Sequence, residues 1–217
     1  LERRLASMLL VVLFENFEAP ELSTMLDHFD QSPALRDEIR QLLPVLRAMV
    51  DRLPRDEPLR PDVPLVLHAE YYDIELSAAF NAISKEKRSF RHFYTGVEKV
   101  DDGRHDLLLV TLDKGDQEHE HLRYHDLPLS PTVFQWQSQA ATRLDDEKGR
   151  RHTAPEAEGV VPLLFVRERA KDQRGMTVPF RYLGPVTPVL HRGRAKDQRG
   201  MTVPFRYLRP VTPVLHR

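Results

Sequence analysis

The 217-residue chain contains no cysteine. This absence excludes disulfides, thiolate metal sites and cysteine nucleophiles, and it agrees with a cytoplasmic location. Long apolar runs are also missing. The longest, Ala6–Phe14, is far shorter than the roughly 18 residues that a membrane span needs. We interpret it as a buried helix and expect no membrane partner.

Nucleotide-binding motifs are missing too. The sequence holds no Gly-x-x-x-x-Gly-Lys-Ser/Thr stretch and no Asp-Glu-Ala-His-type box, so this chain alone is not expected to hydrolyse ATP. No cofactor is predicted. The chain begins at Leu1 and not at methionine. We expect either that the chain was trimmed or that it is a fragment of a longer protein, in which case an upstream partner domain is missing.

Positive charge is concentrated at the C-terminal end. The formal net charge is -1, yet from Arg167 onward twelve lysines and arginines stand against three acids, Glu168, Asp172 and Asp197. A basic end beside an acidic body indicates a polyanionic partner or a contact within the chain.

The hydrophobic pattern changes along the chain. Residues 1–60 show helical spacing, as at Leu1, Leu5 and Met8, and the proline-rich run Pro54–Pro64 is a linker. Short strand-like runs follow, separated by turn signals such as "DDG" and "DEKG". We predict an α+β fold, in which the helical segment 1–60 precedes a module at 61–192. That module has a mainly antiparallel, barrel-like sheet with one or two helices.

A repeat ends the chain. Residues Arg169–Arg192 recur as Arg194–Arg217, and they differ only where Gly184 is matched by Arg209. Structural repeats usually diverge, and two copies are too few for a solenoid. We interpret the repeat as a recent duplication or an assembly error. Residues 193–217 are expected to lie outside the native fold, loosely docked or disordered.

Several motifs together resemble a known family. In order they are "TGVEKV", "DLLLVTLDK", "YHDLPLSPTVFQWQSQAAT", "GRRH", "LLFVRER" and "PFRYLGPV". They are similar to an uncharacterised C-terminal domain of bacterial DEAD/DEAH-box superfamily-2 helicases, some of which also carry a phospholipase-D-like nuclease domain. The resemblance spans roughly residues 1–190. It implies an upstream helicase core, in some cases a nuclease domain, and a role in restriction or phage defence.

The only tryptophan lies within a glutamine cluster. In a strand, alternate side chains point to opposite faces: Phe134, Trp136 and Ser138 on one, Gln135, Gln137 and Gln139 on the other. A glutamine amide can pair with adenine, so we predict that Trp136, Gln137 and Gln139 contact nucleic acid. A reader of modified bases uses such amides with an aromatic in a pocket. In the alternative, the aromatics fill the core and the amides brace a neighbouring loop.

Basic clusters complete the predicted interface. Cationic side chains neutralise phosphates and make binding salt-dependent; the candidates are Arg150, Arg151, Arg167, Arg169 and Lys171, with Arg174 beside them. The alternative is ordinary surface charge that balances the acidic body.

Metal chemistry finds little support in the sequence. His119, His121 and His125 lie in a charged run without a second ligand pair at zinc-like spacing. Asp113 and Lys114 are adjacent, whereas restriction-type nucleases place one residue between the acid and the lysine around their Mg²⁺. We predict no metal site, and a buried strand at Leu107–Val110.

These observations predict an accessory module of a bacterial helicase that binds or selects nucleic acid, with DNA as the expected partner, and that is not catalytic alone. Two alternatives remain open. One is a metal-dependent nuclease that uses Asp106, Asp113 and the histidines. The other is a structural clamp that docks on the helicase core.

Overall fold

The structure is a computed structural model. It describes residues 1–14, 21–50, 64–113, 127–130, 132–137, 142, 146–189 and 202–207. The side chains of residues 49, 50, 127, 137 and 202–207 lie outside that description. The chain divides into two compact units, residues 1–67 with 73–93, and residues 68–72 with 94–217.

The first unit is helical, as the sequence predicts. Its helices are α1 (Glu2–Leu13), α2 (Leu22–Asp30), α3 (Pro33–Val50) and α4 (Asp73–Ala79). Helix α1 packs against α4 and α2, and α2 packs against α3. Met8, Leu10 and Val11 form the buried stripe of α1, because residues three and four apart share one helix face. None of the helices that the structure describes is long and apolar enough to cross a membrane.

Helix α3 leaves apolar side chains exposed. It continues through Pro44, so the proline does not split it. Four neighbouring side chains are 45–55% exposed: Leu42, Leu43, Val45 and Leu46. A contiguous apolar surface of this kind often marks an interaction site.

The second unit is a curled, half-barrel sheet. Its strands are β1 (Glu70–Tyr71), β2 (Val97–Val100), β3 (His105–Asp113), β4 (Leu127–Ser130), β5 (Val133–Gln137), β6 (Val161–Arg169), β7 (Phe180–Pro188) and β8 (Thr202–Tyr207). The strand order is β2-β3-β6-β7-β8-β5-β4, and β1 pairs with β7. Strands β3 and β6 run parallel, and the other described pairs are antiparallel. The α+β prediction with a mainly antiparallel sheet is confirmed.

The curl of the sheet follows from its core. Strands β3 and β5 are separated by three strands, which would place them about 19 Å apart in a flat sheet. Yet Phe134 and Trp136 of β5 share one buried cluster with Leu108 of β3, Leu164 of β6 and Val186 of β7. The concave face of the sheet therefore encloses this core.

Strand β3 confirms the buried strand predicted at Leu107–Val110, where every side chain is at most 8% exposed. The "DEKG" stretch, predicted as a turn, instead begins helix α5 (Glu147–Thr153). Asp146 caps this helix, and its Oδ1 accepts a hydrogen bond from the Gly149 N–H at 2.7 Å. The sequence prediction failed here because Asp and Gly signal turns and helix caps alike.

The second repeat copy contributes strand β8, which pairs with both β5 and β7. The sequence predicts that residues 193–217 lie outside the native fold. The division into 1–60, 61–192 and 193–217 stays a prediction. Because β8 lies within residues 193–217 and pairs inside the sheet, experiments on β8 can test it.

Candidate nucleic-acid interface

A buried ion pair joins helix α5 to strand β3. The Arg151 guanidinium donates from Nε to Asp106 Oδ2 at 3.0 Å and from Nη2 to Asp106 Oδ1 at 2.5 Å. Nη2 also donates to the Gly103 carbonyl at 2.7 Å. The side chains of Arg151 and Asp106 are only 8% and 1% exposed. Such a bidentate pair fixes orientation as well as charge.

The turn before β3 supplies the carbonyl for this pair. Asp101, Asp102 and Gly103 all have positive φ, at 53°, 54° and 85°, a conformation that residues other than glycine adopt rarely. The Asp101 carboxylate lies 3.2 Å from Nδ1 of the buried His105. The turn thereby directs the Gly103 carbonyl to Arg151.

Ion pairs at the surface also connect α5 to neighbouring segments. Lys99 Nζ of β2 donates to Glu147 Oε1 at 2.6 Å, and this contact lowers the pKa of the Glu147 carboxyl. Arg150 is exposed, and its Nε donates to Glu158 Oε1 at 2.9 Å. Exposed pairs stabilise little, so the Arg150–Glu158 pair adds little to the stability of the fold.

Trp136 is a core residue. Its side chain is 3% exposed, and its ring meets that of His152 edge-on, with centroids 4.9 Å apart and planes at 74°. Burial lowers the pKa of His152 to about 4, and this effect outweighs the opposing attraction of Asp106. His152 is therefore neutral at physiological pH.

The alternation predicted for β5 matches the structure where it is described. Phe134 and Trp136 are buried, and Gln135 is half-buried. Gln137 lies opposite Thr202 of β8, but its side chain is outside the description, as is the whole of Gln139. Their contact with nucleic acid stays a prediction.

A second group of basic residues lies where β6 turns back to β7. Arg167 donates from Nε to Thr111 Oγ1 at 2.9 Å and from Nη1 to the Val178 carbonyl at 3.2 Å. Its guanidinium also lies 4.2 Å from the centre of the Phe180 ring. These contacts hold Arg167 half-buried against the sheet.

The turn itself presents positive charge to solvent. We call residues Lys171–Thr177 the basic tip. Asp172 Oδ1 accepts from the backbone N–H groups of Arg174 and Met176 at 2.8 and 2.9 Å, and Gly175 supplies the positive φ of 79°. Both the Arg174 and Met176 side chains are exposed.

Lys171 begins the basic tip, and Arg169 precedes it in strand β6. Lys171 Nζ donates to Thr177 Oγ1 at 2.7 Å, and Arg169 Nη2 donates to Glu168 Oε1 at 2.7 Å. Within the part of the chain that the structure describes, these are exposed side-chain hydrogen bonds, and exposed contacts of this kind stabilise little. The structure therefore orders the backbone of the tip and leaves its cations accessible.

The two basic groups form separate sites. Arg151 contacts the sheet at Asp106, near the start of β3, whereas Arg169 lies opposite Asp113, at the end of β3. Asp106 and Asp113 are seven residues apart, which corresponds to about 23 Å along the strand. Positions an odd number of residues apart also lie on opposite faces of a strand. Arg150 and Arg151 therefore do not share a surface with Arg167, Arg169 and Lys171.

The acids suggested for a nuclease are separated in the same way. Asp106 is buried against Arg151 and Asp113 is exposed at the end of β3, too far away to share a metal ion. Among the residues that the structure describes, no cluster of three His, Asp or Glu side chains can hold a metal. His119, His121 and His125 lie outside those residues.

The fold thus defines an α+β chain with a helical unit and a curled sheet. Residues 65–216 match the family described as Domain of unknown function (DUF3427), and the chain belongs to that family. No curated protein matches it. One similar solved structure is "The 5-Hydroxymethylcytosine-Specific Restriction Enzyme AbaSI", with a TM-score of 0.34 and 13% identity over 91% of this chain. The match covers 59% of that protein's chain.

Proposed function

We propose that this chain is an accessory nucleic-acid-binding module, with DNA as its partner and no catalysis of its own. The observation that carries the proposal is the basic tip. Its backbone is held by Asp172, and Lys171 and Arg174 project from it. Cations presented on an ordered turn engage phosphates without first having to order the chain.

Within this proposal the predicted residues divide by role. Arg169, Lys171 and Arg174 contact phosphates, and Arg167 supports the β6–β7 turn beneath them. Arg150 offers a second phosphate contact on α5, which Arg151 holds in place from its buried pair with Asp106. The glutamines Gln137 and Gln139 contact bases, and Trp136 anchors the strand that carries them.

The larger context of the proposal rests on the motif resemblance. We infer that the module follows a helicase core in a longer cytoplasmic protein, some versions of which carry a nuclease domain, and that it helps to select DNA in restriction or phage defence. Asp106 is occupied by its ion pair with Arg151, and it lies far from Asp113. Both observations support a module that is not catalytic. The motor or nuclease upstream supplies the chemistry.

Fluorescence anisotropy with short duplex and single-stranded DNA tests the proposal. The change is Lys171→Ala with Arg174→Ala in the full chain. Loss of two phosphate contacts should weaken binding about 10- to 50-fold near physiological salt and reduce the slope of log K against log salt by about 2. The matched control is Lys85→Ala with Lys87→Ala, which removes the same charge from exposed positions of the helical unit.

The second repeat copy requires its own arm, because Lys196 and Arg199 repeat Lys171 and Arg174. Lys196→Ala with Arg199→Ala measures how much of the binding the second copy supplies. The proposal fails if the parent chain does not bind either DNA at low salt. The assignment to the tip fails if the tip variant and the Lys85/Lys87 control lose binding equally.

A structural clamp is the second candidate, and the exposed apolar side chains of α3 favour it. Leu42, Leu43 and Leu46 would pack on the helicase core, and the chain would then touch no DNA. Leu43→Lys would weaken that docking and leave any DNA affinity unchanged. Absence of DNA binding by the parent chain would favour the clamp.

A further inference from the structure

Strand β8 fills a slot between two strands that do not pair with each other. It pairs with β5 from Val133 to Gln137 on one side, and with β7 from Val186 to Pro188 on the other. Phe205 and Arg206 have partners on both sides. Among the described strands, β4 and β5 join the rest of the sheet through β8 alone. An empty slot would therefore expose two unpaired strand edges, which are templates for another strand.

The segment that fills the slot has an identical counterpart elsewhere in the chain. Thr202–Tyr207 and Thr177–Tyr182 both read TVPFRY. In the first copy, Phe180 and Arg181 pair with β1, and Arg181 and Tyr182 pair with β6. The tripeptide Phe-Arg-Tyr, at Phe180–Tyr182 and again at Phe205–Tyr207, therefore pairs inside the sheet in two different surroundings.

Pro204 fits the slot because of its position. A proline cannot donate to a strand ladder, so it is tolerated where one side of the strand is unpaired. Pro204 lies opposite Gln135 of β5, whereas the pairing with β7 begins only at Phe205. The proline thus lies beyond the end of β7 and interrupts no bond on that side.

The connection to β8 is long for two neighbouring antiparallel strands. Thirteen residues, 189–201, separate Pro188 from Thr202, whereas hairpin loops usually have about two to five. At full extension this stretch reaches about 43 Å. Its length does not restrict β8 to the slot of its own chain.

We propose that the slot between β5 and β7 is a strand-binding site that also accepts Thr202–Tyr207 from a second copy of this chain. Two chains then exchange β8 and form a dimer. Each exchanged strand makes the same backbone pairs as in the monomer, so exchange costs little pairing energy. For linkers of roughly this length the effective concentration is of order mM, so exchange becomes measurable as the protein concentration approaches that value.

Disulfide trapping tests the exchange. Because the chain has no native cysteine, every disulfide must form between introduced cysteines. Val133 and Arg206 are register partners across β5 and β8. Two single variants, Val133→Cys and Arg206→Cys, are mixed, incubated at about 10 µM and about 1 mM, diluted and oxidised. A mixed disulfide between the two variants can form only between chains. The yield of this mixed disulfide should be at least tenfold higher after incubation at about 1 mM than at about 10 µM. Non-reducing electrophoresis and mass spectrometry measure the yield.

The control mixture replaces Arg206→Cys with Met176→Cys, an exposed position on the basic tip. Circular dichroism and Trp136 fluorescence verify that each variant keeps the parent fold. The double variant Val133→Cys with Arg206→Cys reports the arrangement within one chain and should cross-link internally at 10 µM. The proposal is overturned if the mixture gives no more dimer than the control at 1 mM. It is also overturned if the folded double variant fails to cross-link, since β8 would then not occupy the slot.

Discussion

Replacing Arg151 by methionine is expected to reduce the free energy of unfolding by about 3–5 kcal/mol. The substitution leaves the Asp106 carboxylate, 1% exposed, without the guanidinium that holds both of its oxygens. Taking an unpaired charge out of water is costly, and removal of one partner leaves that cost uncompensated. Denaturant unfolding followed by the fluorescence of Trp136 measures the change.

The double variant Asp106→Leu with Arg151→Met separates charge from packing. Apolar replacements for both members of a buried pair are often neutral or stabilising, so most of the lost stability should return. The Gly103 carbonyl, which loses its Arg151 donor, accounts for a remaining deficit of about 1–3 kcal/mol. A single variant as stable as the parent would show that the pair does not contribute to the fold.

The same variants address DNA binding. If Arg151 only holds α5 in place, the stable double variant should bind DNA with an affinity within about threefold of the parent, because no phosphate contact is removed. An affinity loss as large as that of the Lys171/Arg174 variant would instead place Arg151 in direct contact with phosphate.

Acidification is expected to destabilise the sheet through His152. Its pKa is about 4 in the folded chain, against 6.5 for an ordinary histidine. The unfolded state therefore binds more protons between these values, and stability is fully present above about pH 6.5 and is lost as the pH falls toward about 4. The full loss is about 3 kcal/mol. Urea unfolding at several pH values between 4 and 7 measures it.

The groups around His152 define the control for this experiment. Asp106 and Asp146 favour its protonation, whereas Arg151 and Lys99 oppose it, and burial is the largest effect. His152→Phe keeps an aromatic ring beside Trp136 and removes the titration, so stability should vary less with pH between 4 and 6.5. His92→Gln, at an exposed histidine paired with Asp73, should retain the dependence of the parent. Equal pH profiles for the parent and His152→Phe would contradict the prediction.

Local patterns determined the fold class of this protein. The helical spacing of the first segment, the apolar run at Leu107–Val110 and the alternation around Trp136 each reflect a periodicity that a short stretch must satisfy to bury one face. For this reason the helical segment, strand β3 and the buried face of β5 were predictable. The position of Trp136 in the core was one of two alternatives that the sequence left open.

Long-range pairing was decided only by the tertiary structure. Asp106 and Arg151 are 45 residues apart, and no local spacing indicates that they meet. The parallel pairing of β3 with β6 places Arg151 and Arg169 at different ends of the strands and on different faces, although both had been predicted as phosphate contacts.

The repeat shows the same limit most clearly. The identical tripeptides Phe180–Tyr182 and Phe205–Tyr207 lie in strands in different parts of the sheet, one beside β1 and β6 and the other between β5 and β7. Because their residues are the same, local sequence cannot distinguish these positions. The available strand edges decide where each segment lies, since an unpaired edge accepts another strand through its backbone N–H and C=O groups.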